Sequence, residues 1–177
     1  MTGHGNKAIV PPGGSESVPS RRIELTVNGS ACAFDCADRA LLAQVVRDSL
    51  GLKGTHVGCM NGDCGSCSVL IDGDIYKSCL VLAASADGAQ VDTVESLGSP
   101  SELHDLQKAF WDNDGFQCGF CTPGMLMAAL DLLRRSPGPS EAEVRAGLAG
   151  NLCRCTGYQS IVDSVLDAAA RIRAKNS

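Results

Sequence analysis

The segment Gly58-Cys-Met-Asn-Gly-Asp-Cys-Gly-Ser-Cys67 places three cysteines and three glycines within ten residues. A fourth cysteine, Cys79, follows in the next apolar stretch, which gives the spacing C-x4-C-x2-C-x11-C. The segment has neither helical nor strand periodicity, so we interpret it as a loop. Its glycines lack the β-carbons that would keep backbone amides away from an anionic group. The sequence therefore predicts a loop that wraps a negatively charged centre.

The spacing of this first set of cysteines indicates the kind of centre. Three thiolates from one loop and a fourth from a nearby strand is the arrangement that plant-type ferredoxins use for a 2Fe-2S cluster. Structural zinc favours two CxxC or Cys/His knuckles, which this spacing does not form. We predict a 2Fe-2S cluster, with zinc or buried free thiols as the alternatives. The predicted ligands are Cys59, Cys64, Cys67 and Cys79.

A second set of cysteines lies in two short motifs of the C-terminal half. Cys118 and Cys121 belong to Gln117-Cys-Gly-Phe-Cys-Thr-Pro-Gly124, and Cys153 and Cys155 to Leu152-Cys-Arg-Cys-Thr-Gly-Tyr158. Both motifs adjoin predicted helix ends, where amide donors and the helix dipole stabilise thiolates. We predict one four-sulfur site built from two interhelical turns. A redox dithiol at Cys118 and Cys121, or zinc held by all four sulfurs, are the alternatives.

The residues around the first motif have the pattern of a sheet. Ile23, Leu25 and Val27 alternate with polar residues before the Asn28-Gly29 turn, which predicts a β-hairpin. Asp38 is the predicted cap of a helix with apolar positions from Leu41 to Leu50. Short strands are predicted at 69–71, 75–80 and 91–94. The N-terminal half is thus predicted to be a sheet crossed by one helix.

Helical periodicity replaces the strand pattern in the C-terminal half. Ser101 and Thr122 are predicted caps of the first two helices, and Ser140 with Glu143 forms a capping box for the third. A fourth helix is predicted over 159–175. The fold class is therefore α+β. The predicted organisation is a disordered arm at 1–20, a strand-rich domain at 21–96 and an all-α four-helix domain at 97–177.

Composition and charge exclude several classes of function. The formal net charge of -5 provides no basic face for nucleic acid. No apolar run is long enough to span a membrane, and the first residues lack the pattern of a signal peptide, so we expect a cytoplasmic protein without a transmembrane segment. Ten cysteines without an export signal indicate metal rather than disulfides. Cys32 and Cys36 remain, and we expect them to be small buried hydrophobes.

These motifs, taken in order, resemble the iron-sulfur portion of the xanthine oxidase family. The resemblance rests on the four stretches 58–67, 77–79, 117–125 and 151–158 and extends from about Arg21 to the C-terminus. The length is similar to that of separate small subunits in heterotrimers such as carbon monoxide, nicotine and quinoline dehydrogenases.

The resemblance implies both a fold and a function. The fold would be a ferredoxin-like β-grasp domain followed by a four-helix 2Fe-2S domain with pseudo-two-fold symmetry. Electrons would pass from molybdopterin in a large subunit through two 2Fe-2S clusters to FAD in a medium subunit, in a dimer of heterotrimers. Gln117 and the Cys155 sulfur would approach the molybdopterin. The chain would have no catalytic residues of its own. A free-standing two-cluster carrier and a zinc-stabilised interaction module are the alternative functions.

Overall fold

The N-terminal half begins with a long β-hairpin in this computed structural model, which describes residues 18–175. Strand β1 (Ser20–Val27) pairs antiparallel with β2 (Ser30–Ala37) along its whole length. The turn between them uses positive φ angles at Asn28 (50°) and Gly29 (77°), as a tight two-residue hairpin turn requires. The predicted hairpin is therefore present, and Ile23, Leu25 and Val27 are buried on one face as the alternation indicates.

Three shorter strands complete a five-stranded mixed sheet. They are β3 (Ser68–Ile71), β4 (Asp74–Lys77) and β5 (Gln90–Asp92), and the strand order is β2-β1-β5-β3-β4. Strand β5 pairs parallel with β1 and antiparallel with β3. The predicted strand at 75–80 is shorter than expected, because Ser78–Leu80 form a 3-10 turn. That turn carries Cys79 out of the sheet.

The helix that crosses this sheet is short and irregular. Helix α1 (Leu42–Gln44) continues directly into a π-helical turn at Val45–Ser49, and its buried residues pack on the sheet. The prediction that Asp38 caps this helix is wrong. Its carboxylate instead forms an ion pair with Arg21, with an Nε–Oδ1 distance of 2.7 Å, and the helix begins after Leu41. The Arg21 guanidinium lowers the pKa of Asp38 through this contact.

The C-terminal half contains the remaining helices. They are α2 (Asp105–Asp112), α3 (Thr122–Arg135), α4 (Glu141–Leu148) and α5 (Gln159–Lys175). The capping box at Ser140 is confirmed, because Ser140 Oγ accepts from the Glu143 N–H at 3.3 Å and Glu143 Oε2 accepts from the Ser140 N–H at 2.7 Å. Two other predicted caps are wrong. Helix α2 is capped by His104 rather than Ser101, and α3 by Cys121 rather than Thr122.

The helices enclose an apolar core of their own and also contact the sheet. Phe110, Met125 and Ile161 are among its fully buried residues. The N-terminal turns of α3 approach strand β3, so that the two halves of the chain touch beside the cysteine motifs. Over residues 18–175, no helix combines the length and apolar character needed to cross a membrane. Most of the predicted N-terminal arm, residues 1–17, lies outside the described residues.

Candidate metal centres

The first set of cysteines lies on one loop and one turn at the edge of the sheet. Cys59 and Cys64 belong to the loop, Cys67 directly precedes β3, and Cys79 lies in the 3-10 turn after β4. Cys67 and Cys79 are almost completely buried, whereas Cys59 and Cys64 are partly accessible. Strands β3 and β4 pair antiparallel, with Ser68 opposite Lys77. This pairing brings Cys67, directly before β3, near Cys79, which follows β4.

The backbone of the loop has the conformation that a wrapped centre requires. Gly62 and Gly65 have φ angles of +88° and +70°, which favour glycine. A β-carbon on Gly62 would lie 2.5 Å from Leu80 Cδ1, and one on Gly65 would lie 2.5 Å from the carbonyl oxygen of Gly150. The Cys64 N–H already points to Cys59 Sγ, at an N–Sγ distance of 3.4 Å. The loop therefore presents amides to sulfur.

The thiols of the first set differ in acidity. Hydrogen bonds from the backbone, led by the Cys64 N–H, lower the pKa of Cys59 to about 6. Burial and, after it, the contact with the neighbouring Cys67 together raise the pKa of Cys79 to about 11. A metal binds cysteine as a thiolate, so assembly at this set must release protons from buried thiols.

The second set of cysteines connects two interhelical turns. Cys118 and Cys121 lie between α2 and α3, and Cys153 and Cys155 lie between α4 and α5. The sulfurs of Cys118 and Cys155 are 3.5 Å apart. The buried thiol of Cys121 forms its side-chain contact with Cys153. The structure thus brings the two predicted turns together, with each cysteine sulfur of one turn in contact with a cysteine sulfur of the other.

Burial and local hydrogen bonds set the acidity of this second set too. Burial raises the pKa of Cys121 to about 12, despite its position at the beginning of α3. The backbone N–H of Phe120 lowers the pKa of Cys118. The Cys153 sulfur lies 3.2 Å from the hydroxyl of Thr156, and the Cys153 N–H donates to the Tyr158 hydroxyl at 3.0 Å. Polar groups therefore surround the sulfurs of the second set.

The eight thiols are arranged as pairs within each set. The side-chain contacts join Cys59 to Cys64, Cys67 to Cys79, Cys118 to Cys155, and Cys121 to Cys153. Within residues 18–175, no three His, Cys, Asp or Glu side chains are grouped closely enough to hold one metal ion. Two thiolates for each of two iron atoms is the ligand requirement of a 2Fe-2S cluster, so this donor set fits such a group.

Direct hydrogen bonds join the two sets of cysteines. The Leu152 N–H donates to the Cys64 carbonyl oxygen at 2.9 Å, which links the residue before Cys153 to a member of the first set. Lys77 Nζ donates to the carbonyl oxygens of both Gly62 (2.5 Å) and Gly150 (2.9 Å). The loop of the first set is thus fixed onto the α4–α5 turn.

An aromatic contact supports the same junction. His56 Nδ1 lies 2.8 Å from the carbonyl oxygen of Phe120, and because a carbonyl only accepts, Nδ1 carries the proton. The two rings stack with centroids 5.0 Å apart. His56 therefore ties the residues before the first set to the turn of Cys118 and Cys121.

The second set opens onto an exposed surface. Gln117, Cys118 and Cys155 are exposed, and the neighbouring Phe120 and Leu152 expose 47% and 54% of their surface. Exposed apolar side chains around accessible thiols are typical of a surface that another protein covers. The ligand assignments come from the cysteine spacing and the role of Gln117 from the family resemblance, and both remain predictions.

Sequence reasoning missed the residues that connect the two sites. Asn151 and Lys77 lie inside the motifs that carry the resemblance, but neither received a role. Asn151 is only 5% exposed, and its side-chain amide donates to the Gly65 carbonyl oxygen at 3.0 Å. An asparagine directly after Gly150 resembles an ordinary helix terminator, so its sequence context hides this contact.

Comparison with known protein families gives the class of protein. Residues 25–96 match the family described as "2Fe-2S iron-sulfur cluster binding domain", and residues 93–166 match "2Fe-2S binding domain". The fold and the paired thiols therefore belong to an iron-sulfur protein with two 2Fe-2S-binding domains.

Individual relatives make the assignment more specific. The chain is 48% identical over 160 residues to the nicotine 6-hydroxylase small subunit of Paenarthrobacter nicotinovorans, covering 89% of this chain and 96% of that protein. It is 46% identical over 154 residues to the aldehyde oxidoreductase of Megalodesulfovibrio gigas, covering 85% of this chain but 17% of that longer protein.

A solved structure agrees with these relatives. The crystal structure of quinoline 2-oxidoreductase from Pseudomonas putida 86 superposes with a TM-score of 0.84 at 44% identity, covering 89% of this chain and 99% of the matched chain. The chain therefore belongs to the small iron-sulfur subunits of the xanthine oxidase family of molybdenum hydroxylases.

Proposed function

We propose that this chain conducts single electrons between a molybdopterin-binding large subunit and an FAD-binding medium subunit. The observation that carries the proposal is the sorting of eight thiols into two sets of pairs, joined by the hydrogen bond from Leu152 to Cys64. Two 2Fe-2S clusters would supply one-electron chemistry, which connects partners that each handle two electrons. The chain itself would hold and orient these groups.

The proposed ligands are the eight paired cysteines. Cys59, Cys64, Cys67 and Cys79 would hold one cluster, and Cys118, Cys121, Cys153 and Cys155 the other. A single zinc ion requires four sulfurs, each about 2.3 Å from one point. The pairwise contacts of these thiols favour two iron atoms over that arrangement.

The different environments of the two sets support an order of transfer. The second set faces an exposed surface where Gln117 and Cys155 would approach the molybdopterin of the large subunit. The first set lies at the sheet edge beside exposed Met60 and Leu80, and this side would face the flavin subunit. The contact of Cys64 with Leu152 would provide a short path between them, through one hydrogen bond and covalent backbone.

The domain organisation follows from the same division. We propose a β-grasp domain at 21–96 and a four-helix domain at 97–177, each holding one cluster. The family matches at 25–96 and 93–166 support this boundary. The assembled enzyme would be a cytoplasmic dimer of heterotrimers, in which this chain converts no substrate.

Iron analysis and purification together test this function. The chain expressed with its neighbouring subunits should contain four iron atoms, show two distinct EPR signals after reduction and co-elute with two larger chains. Zinc in place of iron would refute the electron-transfer role. Four irons in a chain that elutes alone at 18.3 kDa would instead identify a free-standing carrier.

A further inference from the structure

The side chain of Thr122 has a buried hydroxyl without a partner. Its Oγ1 is inaccessible to solvent, and no oxygen, nitrogen or sulfur atom of the described chain is positioned to hydrogen-bond with it. A buried hydroxyl without a hydrogen-bond partner is destabilising, so such groups are rare in folded proteins and require an explanation. Thr122 therefore needs an acceptor or donor that the polypeptide does not supply.

The position of Thr122 limits what that partner can be. Thr122 directly follows Cys121 and is the first residue of α3, but Cys121 occupies the cap position. The hydroxyl thus does not serve the helix end, although the Thr122-Pro123 sequence is typical of a cap and first position. It lies next to the most deeply buried thiol of the second set, since Cys118, Cys153 and Cys155 are all more accessible.

We propose that the Thr122 hydroxyl donates a hydrogen bond to a sulfur of the cluster held by Cys118, Cys121, Cys153 and Cys155, and thereby raises its reduction potential. This inference rests on the function proposed above. The protein sulfurs do not accept from Thr122, so the acceptor is an inorganic sulfide, which brings further sulfur atoms into the site. Reduction adds one electron to this anionic group, and a donor to sulfur stabilises the reduced form more than the oxidised form.

Thr156 provides an example of the same kind of contact within the site. Its hydroxyl lies 3.2 Å from Cys153 Sγ and accepts from the Tyr158 N–H at 3.1 Å, so it donates to the sulfur when Cys153 is a thiolate. Thr156 contacts a ligand sulfur, whereas Thr122 has no such contact. The two hydroxyls would therefore act on different atoms of one cluster.

The test is an EPR-monitored reductive titration of the purified complex. Thr122→Val removes the hydroxyl and keeps the shape, and we expect it to shift the one-electron equilibrium of the second cluster about tenfold towards the oxidised form, about 59 mV to lower potential. Thr122→Ser retains the hydroxyl and should keep the original value. The first cluster is the internal reference, and Thr26→Val, on strand β1, controls for loss of a threonine hydroxyl elsewhere.

The outcomes separate this inference from the proposed function. Iron present and an unchanged potential in Thr122→Val would refute the role of Thr122 alone, whereas absence of iron in the unmodified complex would refute the function itself. If Thr122→Val fails to assemble, the inference is tested instead by the distance between Thr122 Oγ1 and the nearest sulfide in a crystal structure of the unmodified complex. Thr122 Oγ1 within about 3.5 Å of a sulfide supports the inference, and a greater separation overturns it.

Discussion

The side-chain amide of Asn151 donates a hydrogen bond of 3.0 Å to the carbonyl oxygen of Gly65, across the junction between the two halves of the chain. Gly65 lies in the loop of the first cysteine set, and Asn151 lies two residues before Cys153 of the second. The same carbonyl also accepts from the Ser68 N–H and hydroxyl. Asn151 therefore couples the conformation of one proposed cluster site to that of the other.

Replacing Asn151 tests whether this contact fixes the junction. Asn151→Ala removes a buried hydrogen bond and should lower stability by about 1–3 kcal/mol. The adjacent Leu152 N–H, which donates to Cys64, should exchange its hydrogen faster. Hydrogen-exchange mass spectrometry measures this. Asn113→Ala is the matched control, because Asn113 also forms side-chain hydrogen bonds, but its partners Ala109 and Asp167 both belong to the C-terminal half. Equal Leu152 exchange in both variants would contradict the prediction.

Gly124 tests how closely α3 must approach the loop. A β-carbon at Gly124 would overlap the Gly65 carbonyl oxygen and lie 2.9 Å from Ser66 Cα, both backbone atoms that cannot move independently. We expect Gly124→Ala to destabilise the protein by about 1–3 kcal/mol through overpacking. Thermal denaturation measures the loss. At Gly150 the nearest atom would be Lys77 Nζ at 3.5 Å, so Gly150→Ala should be nearly neutral. A neutral Gly124→Ala would show that the halves can separate without cost.

The sequence predicted the elements that depend on local pattern. Alternation identified β1, and the Asn28-Gly29 turn and the Ser140 capping box were confirmed because each is satisfied by residues a few positions apart. The cap predicted at Asp38 failed because a distant residue competed for its carboxylate. Asp38 binds Arg21, which only the strand pairing brings near.

In the candidate sites too, the sequence predicted what depends on neighbouring residues and missed what depends on contacts between distant ones. Cysteine spacing predicted both sets of thiols, since each motif is local. It could not predict which thiols pair, because the pairing of Cys118 with Cys155 depends on how α3, α4 and α5 pack. The roles of Asn151 and Gly124 were missed for the same reason, because their contacts cross the junction between the halves.

A cysteine series tests the assignment of ligands. Cys155→Ser removes one member of the Cys118–Cys155 pair and should abolish the EPR signal of the second cluster, while the signal of the first remains. Cys32→Ala is the control, since Cys32 lies on β2, packs against the sheet core and belongs to neither set. It should keep both signals and four irons. Loss of a signal in Cys32→Ala, or of both signals in Cys155→Ser, would refute the separate assignment of ligands.

His104 gives the stability of the protein a dependence on pH. Its Nδ1 accepts from the Leu106 N–H at 3.2 Å as the cap of α2, and burial lowers the pKa of the imidazole from its usual 6.5. The charged neighbours of the ring are Asp105, Lys108, Arg134 and Lys175. Because the folded pKa lies below the unfolded one, the unfolded chain takes up a proton first as pH falls through 6.5. His104 should therefore contribute its full stabilisation above about pH 6.5 and lose part of it below that pH.

Replacing His104 by asparagine tests this dependence. His104→Asn keeps a good cap that does not titrate, so its unfolding temperature should fall less between about pH 7.5 and 5.5 than that of the unmodified protein. Parallel curves for the two proteins, measured by calorimetry, would show that protonation of His104 does not oppose folding.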